Sequence, residues 1–151
     1  MNSDVLFDPN GTIMNDFPDD FWLGVEQFNR GEFYACHDTL EAVWIEAPEA
    51  DKKFYQGILQ VAVALYHLGN QNWRGGVILM GEGIHRLRSF PIDYAGLDIA
   101  DFMAQVSNLL SFLQQQGADN LSALKLTIGP DGRGLIADDD QHRSQPYLDR
   151  L

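Results

Sequence analysis

Two titratable side chains and an indole share one face of a predicted helix in the first third of the chain. His37, Glu41 and Trp44 follow the i, i+4, i+7 spacing, which places them within about 60° on a helix that turns about 100° per residue. A histidine and a carboxylate one turn apart suit general acid–base chemistry or a shared metal ion. His37 and Glu41 are therefore the candidate catalytic residues, and Trp44 is a candidate wall of a ligand pocket.

A second polar stripe lies on the next predicted helix, in a segment that is otherwise apolar. Gln56, Gln60 and His67 occupy positions i, i+4 and i+11, an arc of about 40°. A polar group that is buried without a partner costs about 1 to 3 kcal/mol. The stripe therefore needs partners on a facing helix or a water-filled cleft, and its three residues are candidate ligand-binding residues.

Hairpin geometry predicts that the two stripes meet. If the two helices are antiparallel about a turn at Pro48, Glu41 lies level with Gln56, and His37 lies level with Gln60. The predicted site therefore lies between the second and third helices.

A divalent metal ion is one candidate cofactor for this site. The turn at Gly31 places Glu26 level with His37, so that Glu26, His37 and Glu41 form a ligand set of one imidazole and two carboxylates, suited to a first-row metal. The alternative is structural: His37 and Glu41 are hydrogen-bonded with Gln60 inside a helical core, and the glutamate fixes the imidazole tautomer.

Glycine and proline positions divide the chain into five predicted helices, at about 19–30, 32–46, 51–68, 72–88 and 97–116. No segment shows convincing two-residue alternation, except that 121–128 allows a short extended piece. Short connections favour antiparallel neighbours. The sequence therefore predicts an all-α fold, a compact up-and-down bundle or array.

The predicted organisation has three parts: an extended segment at 1–16, a helical domain at 17–128 and an extended tail at 129–151. Within the tail, Tyr147, Leu148 and Leu151 are apolar enough to dock on the helical body or on a second subunit. The fourth helix contains several glycines, which lower its intrinsic helicity. We expect them to let a neighbouring helix approach closely.

A family resemblance is carried by the run FNRGEFYACHDTLEAVW at 28–44, by FYQGILQ at 54–60, and by ALYH at 64–67. Together with Asn70 and two glycines at 75–76, these segments resemble the signature of domain-of-unknown-function family 309, over about residues 17–115. The chain has Asp38 where the family usually has glutamate. The resemblance implies an all-helical fold and no known reaction. It also implies a cluster of polar family positions: His37, Glu41, Trp44, Gln56, Gln60 and His67.

Charge excludes several classes of partner. The chain has 151 residues, with 22 acidic against 10 basic side chains and a net charge of -12. Such a chain repels phosphate backbones, so we expect no nucleic-acid binding and no anchoring to an anionic membrane. The acids concentrate in the first two helices and the bases in the next two, which predicts ion pairs across the bundle.

Residues 1–16 have neither the basic start nor the apolar stretch of a secretory signal, so we expect a cytoplasmic protein. The single cysteine, Cys36, suits a reducing compartment, and we expect it in the core. The uncharged stretch at 54–73 contains six amide or imidazole side chains, so we interpret it as a buried helix rather than a membrane span.

Two functional classes remain open. The first is a small-molecule enzyme or metalloprotein with its site between helices two and three. The second is a non-catalytic binding or scaffold module, with a homo-oligomer left open, in which the polar cluster specifies the fold.

Overall fold

Five α-helices form the body of the described chain, which comprises residues 17–128, 134–137 and 143–151 of the computed structural model. They are α1 (Asp19–Asn29), α2 (Phe33–Glu46), α3 (Glu49–Gly69), α4 (Trp73–Leu87) and α5 (Ile99–Gln116). The prediction of an all-α fold is confirmed for this body.

Consecutive helices pack against one another, from α1 on α2 through to α4 on α5. The first four helices are joined by connections of only two or three residues, so neighbours run antiparallel. Gly31 follows α1 with a φ of 79°, a left-handed conformation that glycine adopts without steric cost. The chain can therefore reverse within three residues between α1 and α2.

The longest helix, α3, lies between α2 and α4 and buries most of its apolar side chains. Its contact with α4 is close because two glycines face each other. A Cβ at Gly83 would lie 2.8 Å from the carbonyl oxygen of Gly57. The expected close approach of a neighbour to α4 is therefore present at Gly83, whereas Gly81 has open space around it.

Aromatic rings close one end of the bundle. Phe17 and Phe21 contact Phe54 and Tyr55 of α3, and Phe54 also packs on Tyr94. The Tyr94 hydroxyl, in a short 3-10 helix (Tyr94–Gly96), donates to the carboxylate of Asp51. These contacts fix the start of α3 and hence the turn that positions the candidate site.

Trp73 ties α4 to α5, since its indole donates to the carbonyl of Leu113 at 2.9 Å.

No helix in the described ranges combines the length and apolar character needed to cross a bilayer.

Ion pairs within residues 17–121 join residues one to four positions apart in sequence rather than different helices. They are Glu26 with Arg30, His37 with Asp38 and Glu41, and Glu49 with Lys52. The prediction of ion pairing across the bundle is therefore wrong for this range. Helical i, i+3 and i+4 neighbours are within reach of each other without any tertiary contact.

A small antiparallel sheet follows a 3-10 helix (Ala118–Ala123). Its strands β1 (Leu124–Ile128), β2 (Gly134–Ala137) and β3 (Arg143–Ser144) lie in the order β1-β2-β3, with Thr127 opposite Leu135. The short extended piece expected at 121–128 is therefore present as β1. The extended segment predicted at 1–16 lies outside the described residues, as do the three aspartates at 138–140.

The last seven residues, 145–151, lie along the helical body. Leu148 is buried and Leu97 forms an antiparallel bridge with Arg150, whereas Leu151 is exposed. The sequence left open whether this segment docks on the helical body or on a second subunit. In the structure it docks on the helical body of the same chain.

Candidate functional site

His37 and Glu41 form a pair on α2, as their spacing predicts. The Nε2 atom of His37 lies 3.1 Å from an Oε atom of Glu41, and its Nδ1 lies 3.2 Å from Oδ1 of Asp38. Both nitrogens therefore face carboxylates, and both donate hydrogen bonds when the imidazole is protonated. The His37 side chain keeps 32% of its surface exposed, so the pair is accessible from solvent.

A small groove opens between α2 and α3 beside His37. We call it the α2–α3 groove; it is lined by Phe33, Tyr34, His37, Val63, Tyr66 and His67 and has a volume of about 140 Å³. The rings of Tyr34 and Tyr66 meet across it at 5.4 Å, and Tyr34 lies 6.2 Å from His37. The groove brings together two histidines that the sequence predicts on separate stripes.

The register of α2 on α3 differs from the predicted one by about one turn. His37 shares the groove with Val63 and Tyr66 instead of lying over Gln60. Helical side chains tilt toward the N-terminus of their own helix. In an antiparallel pair the two tilts add, so a residue of α2 meets residues of α3 farther from the turn than simple counting from Pro48 predicts.

Gln60 turns toward α4 rather than toward His37. Its amide nitrogen donates to Oε2 of Glu82 at 3.0 Å, and the residue is only 8% exposed. Its Oε1 atom is buried and has no hydrogen-bond partner among the described residues. The structural alternative predicted one hydrogen-bond network of His37, Glu41 and Gln60. In the structure Gln60 instead bonds to Glu82.

Trp44 and Gln56 lie on the same hairpin, closer to its turn. The Trp44 ring is half-buried under the ammonium group of Lys52, which lies 5.5 Å from the ring centroid. Its indole Nε1 is buried and unpaired within the described chain. Gln56 is half-buried on α3. Two buried polar atoms without partners, on Trp44 and Gln60, thus lie on the α2–α3 hairpin.

His67 lies in the last turn of α3, where its Nδ1 is 3.4 Å from the side-chain nitrogen of Asn72. Asn72 also caps α4, because its Oδ1 accepts from the backbone N–H of Gly75 at 2.9 Å. His67 is thus both a groove residue and a partner of the α3–α4 connection.

The proposed three-ligand metal set is not assembled. Glu26 is exposed on α1 and forms an ion pair with Arg30 at 2.6 Å, one helix away from His37 and Glu41. Among the described residues no group of three or more His, Cys, Asp or Glu side chains is placed to hold a metal ion.

Cys36 is fully buried in the core, next in sequence to His37. Desolvation by burial raises the pKa of its thiol from 9.0 to about 12, and a backbone hydrogen bond at Phe28 acts in the opposite direction. The thiol therefore stays protonated and is no nucleophile at neutral pH.

Sequence reasoning missed Glu82 and the ring of Tyr34. Glu82 is the single acid among five bases in residues 52–90, so its isolation was a usable signal. Tyr34 lies i, i+3 from His37, and that spacing places it on the same side of α2.

Comparison with known proteins gives a match to one family model. The model described as "Domain of unknown function (DUF309)" matches residues 21–79, which hold most of α1, all of α2 and α3, and the first half of α4. All the candidate residues lie within this range.

Two uncharacterised bacterial proteins are similar to the chain. YpuF of Bacillus subtilis (strain 168) is 39% identical over 109 residues, which are 70% of this chain and 60% of that protein. A protein of Aquifex aeolicus (strain VF5) is 27% identical over 84 residues, which are 55% of this chain and 25% of that protein. The chain thus spans about three-fifths and about a quarter of these two relatives. Over residues 21–79 the chain matches the model of the DUF309 family of unknown function, as the sequence resemblance predicted.

Proposed function

We propose that the chain is a binding module whose site is the α2–α3 groove, and that the groove takes one apolar ring or branched side chain carrying a positive charge. The observation that carries the proposal is the convergence of His37, Tyr34 and Tyr66 on one apolar groove.

Size limits the ligand. The groove has a volume of about 140 Å³, whereas pockets for drug-sized ligands measure about 300 to 1,000 Å³. A cavity of about 150 Å³ takes a single benzene ring. One ring or one branched side chain of a partner therefore fits, and a large cofactor does not.

Charge favours a cation. Asp38 and Glu41 flank His37. Asp38 exposes 64% of its side-chain surface and Glu41 exposes 50%. The net charge of -12 attracts positive ligands over a longer range. A ring or aliphatic group with an ammonium or guanidinium substituent therefore meets both the apolar groove and its acidic rim.

The relatives support a module rather than a self-contained enzyme. The match to the Aquifex aeolicus protein covers only 25% of that longer chain. A unit that recurs inside a longer chain suits a binding role that is combined with other parts.

The test is a titration with three small aromatic probes that differ in charge: benzylammonium, benzyl alcohol and benzoate. We expect benzylammonium to shift the NMR signals of His37 and Tyr34 saturably, with a Kd on the order of 1 mM or tighter, benzyl alcohol more weakly and benzoate not at all. His37→Ala should abolish the shifts. Ile45→Ala is the matched control, since Ile45 is exposed on α2 outside the groove. Equal shifts with benzoate, or binding that survives His37→Ala, would contradict the proposal.

Acid–base catalysis on a small molecule is the second candidate, because the His37 imidazole is accessible and has Glu41 at its Nε2. A histidine of this kind should accelerate hydrolysis of an activated ester such as p-nitrophenyl acetate. We would compare His37→Ala with His85→Ala, which changes an exposed histidine on α4. An equal effect of the two variants would rule against catalysis at His37.

A further inference from the structure

The seat of the C-terminal segment, residues 145–151, is built like a peptide-binding site. The Tyr147 N–H donates to Oε1 of Gln105, and its carbonyl accepts from Nε2 of the same side chain, both at 3.1 Å. The Leu148 N–H donates to Oδ1 of Asn29, and its carbonyl accepts from Nδ2 of Asn29, both at 2.8 Å. Two side-chain amides, which we call the amide clamp, thus hold both backbone groups of two successive residues.

Backbone groups of the body extend the clamp. The Asp98 N–H donates to the carbonyl of Asp149 at 2.8 Å, and the Leu151 N–H donates to the carbonyl of Gly96 at 2.9 Å. Such main-chain pairing along an extended segment provides affinity without regard to side-chain identity.

Side chains of the segment occupy separate places on the body. Leu148 and Gln145 are each 1% exposed, and the Gln145 amide donates to the Phe28 carbonyl at 3.0 Å. The Arg150 guanidinium stacks on Trp22, 4.0 Å from the ring centroid. A buried leucine followed two residues later by a stacked arginine is the pattern by which an extended peptide is selected.

We propose that the surface between α1 and α5 is a peptide-recognition site, occupied in cis by the chain's own C-terminal segment, that accepts in trans an extended segment with the same leucine and arginine pattern. The amide clamp binds the backbone of the segment. The site that buries Leu148 selects an aliphatic side chain, and the Trp22 ring selects a cationic side chain.

Space beside the bound segment supports a partner larger than the segment itself. A cavity of about 740 Å³ runs along α1 next to it, and its walls include Trp22, Leu23, Leu148 and Arg150. A tethered segment has an effective concentration on the order of millimolar. The C-terminal segment therefore competes with any partner, and binding in trans requires its displacement.

The experiment uses the full-length chain and a fluorescent heptapeptide with the sequence of residues 145–151. Leu148→Asp in the chain places a charge in the leucine seat and releases the segment. We expect this variant to bind the heptapeptide at least tenfold more tightly than the unchanged chain. Adding Gln105→Ala should weaken that binding at least tenfold, whereas Gln115→Ala, an exposed glutamine on the same helix, should not. A heptapeptide with aspartate at the position of Leu148 should not bind.

Two outcomes overturn the proposal. One is a Leu148→Asp chain that keeps its helical circular dichroism and fails to bind the heptapeptide. The other is a Leu148→Asp chain that loses its helical signal, since the segment would then be an integral part of the fold. Hydrogen exchange on the single variant Gln105→Ala gives a second measurement. We expect faster exchange at the amides of Tyr147 and Leu148 with α3 unchanged, and faster exchange throughout α3 would contradict the proposal.

Discussion

The Cys36 thiol shows how burial controls the chemistry of one residue. Its pKa rises from 9.0 to about 12 because burial penalises the thiolate. The stabilisation from keeping the thiol neutral is full below pH 9.0, the unfolded value, and is lost as the pH rises from there toward 12.

We therefore expect the free energy of unfolding to fall in both the unchanged chain and Cys36→Ala when the pH rises from about 8 to about 10. The fall should be larger by about 1 kcal/mol in the unchanged chain. Urea unfolding at the two pH values measures the difference. A parallel fall in both chains would contradict the assignment, because tyrosines and lysines titrate equally in both.

Burial of the Gln60 side chain costs folding free energy, and α3 does not need a polar residue at this position. It forms one hydrogen bond to Glu82, and its Oε1 is buried without a partner among the described residues. We expect Gln60→Leu to stabilise the chain by about 1 kcal/mol, since it removes an unpaired buried oxygen and adds apolar surface. Thermal unfolding against Gln114→Leu, at an exposed glutamine of α5, measures it. A clear loss of stability would indicate that the oxygen is hydrogen-bonded in solution.

Residues one turn apart on the same helix were the most predictable part of the site. The His37–Glu41 pair follows from i, i+4 spacing alone, because the partners share one rigid backbone. Gln60 was predicted on the correct helix but with the wrong partner. A long amide side chain on a flank can turn to either neighbouring helix, and spacing does not determine which.

At the scale of elements, helix ends were predictable because glycine and proline punctuate them, whereas the register of α2 on α3 was not. Counting residues from Pro48 ignores the tilt of side chains toward each N-terminus. The observed Tyr34–Tyr66 contact at 5.4 Å therefore lies about one turn beyond the counted position.

Two glycines of α4 should respond oppositely to the same substitution. Gly81→Ala should stabilise the chain by about 0.5 to 1 kcal/mol, since a Cβ there meets open space and alanine favours helix. Gly83→Ala should destabilise it by about 1 to 3 kcal/mol, since its Cβ would lie 2.8 Å from a backbone oxygen of α3. Chemical denaturation of both variants compares them. Similar effects at both positions would mean that α3 and α4 do not approach as described.

At the scale of the whole molecule, the net charge of -12 is not offset by ion pairs between helices within residues 17–121. Self-repulsion therefore opposes the compact state, and salt screens it. We expect Tm to rise by a few degrees when ionic strength increases from about 0.02 to about 0.5 M. Sodium chloride and choline chloride should act alike. A fall in Tm with either salt would show that attractive pairs dominate.

The helical body was predictable from the sequence, and the seat of the last seven residues was not. Periodicity and short connections determine the neighbours of each helix. Asn29 and Leu148, however, are 119 residues apart in sequence, and residues 145–151 carry no periodic pattern that names a partner. Long-range contacts of an extended segment depend on the assembled surface, which only the folded body provides.

The stack of Arg150 on Trp22 gives the molecule an optical consequence. Trp44 and Trp73 lie on α2 and α4, so a chain with phenylalanine at those two positions would emit from Trp22 alone. Release of the last residues would remove a guanidinium from the face of that indole and let water reach it. The emission wavelength of one fluorophore would then report, in real time and without a label, whether residues 145–151 occupy the surface between α1 and α5.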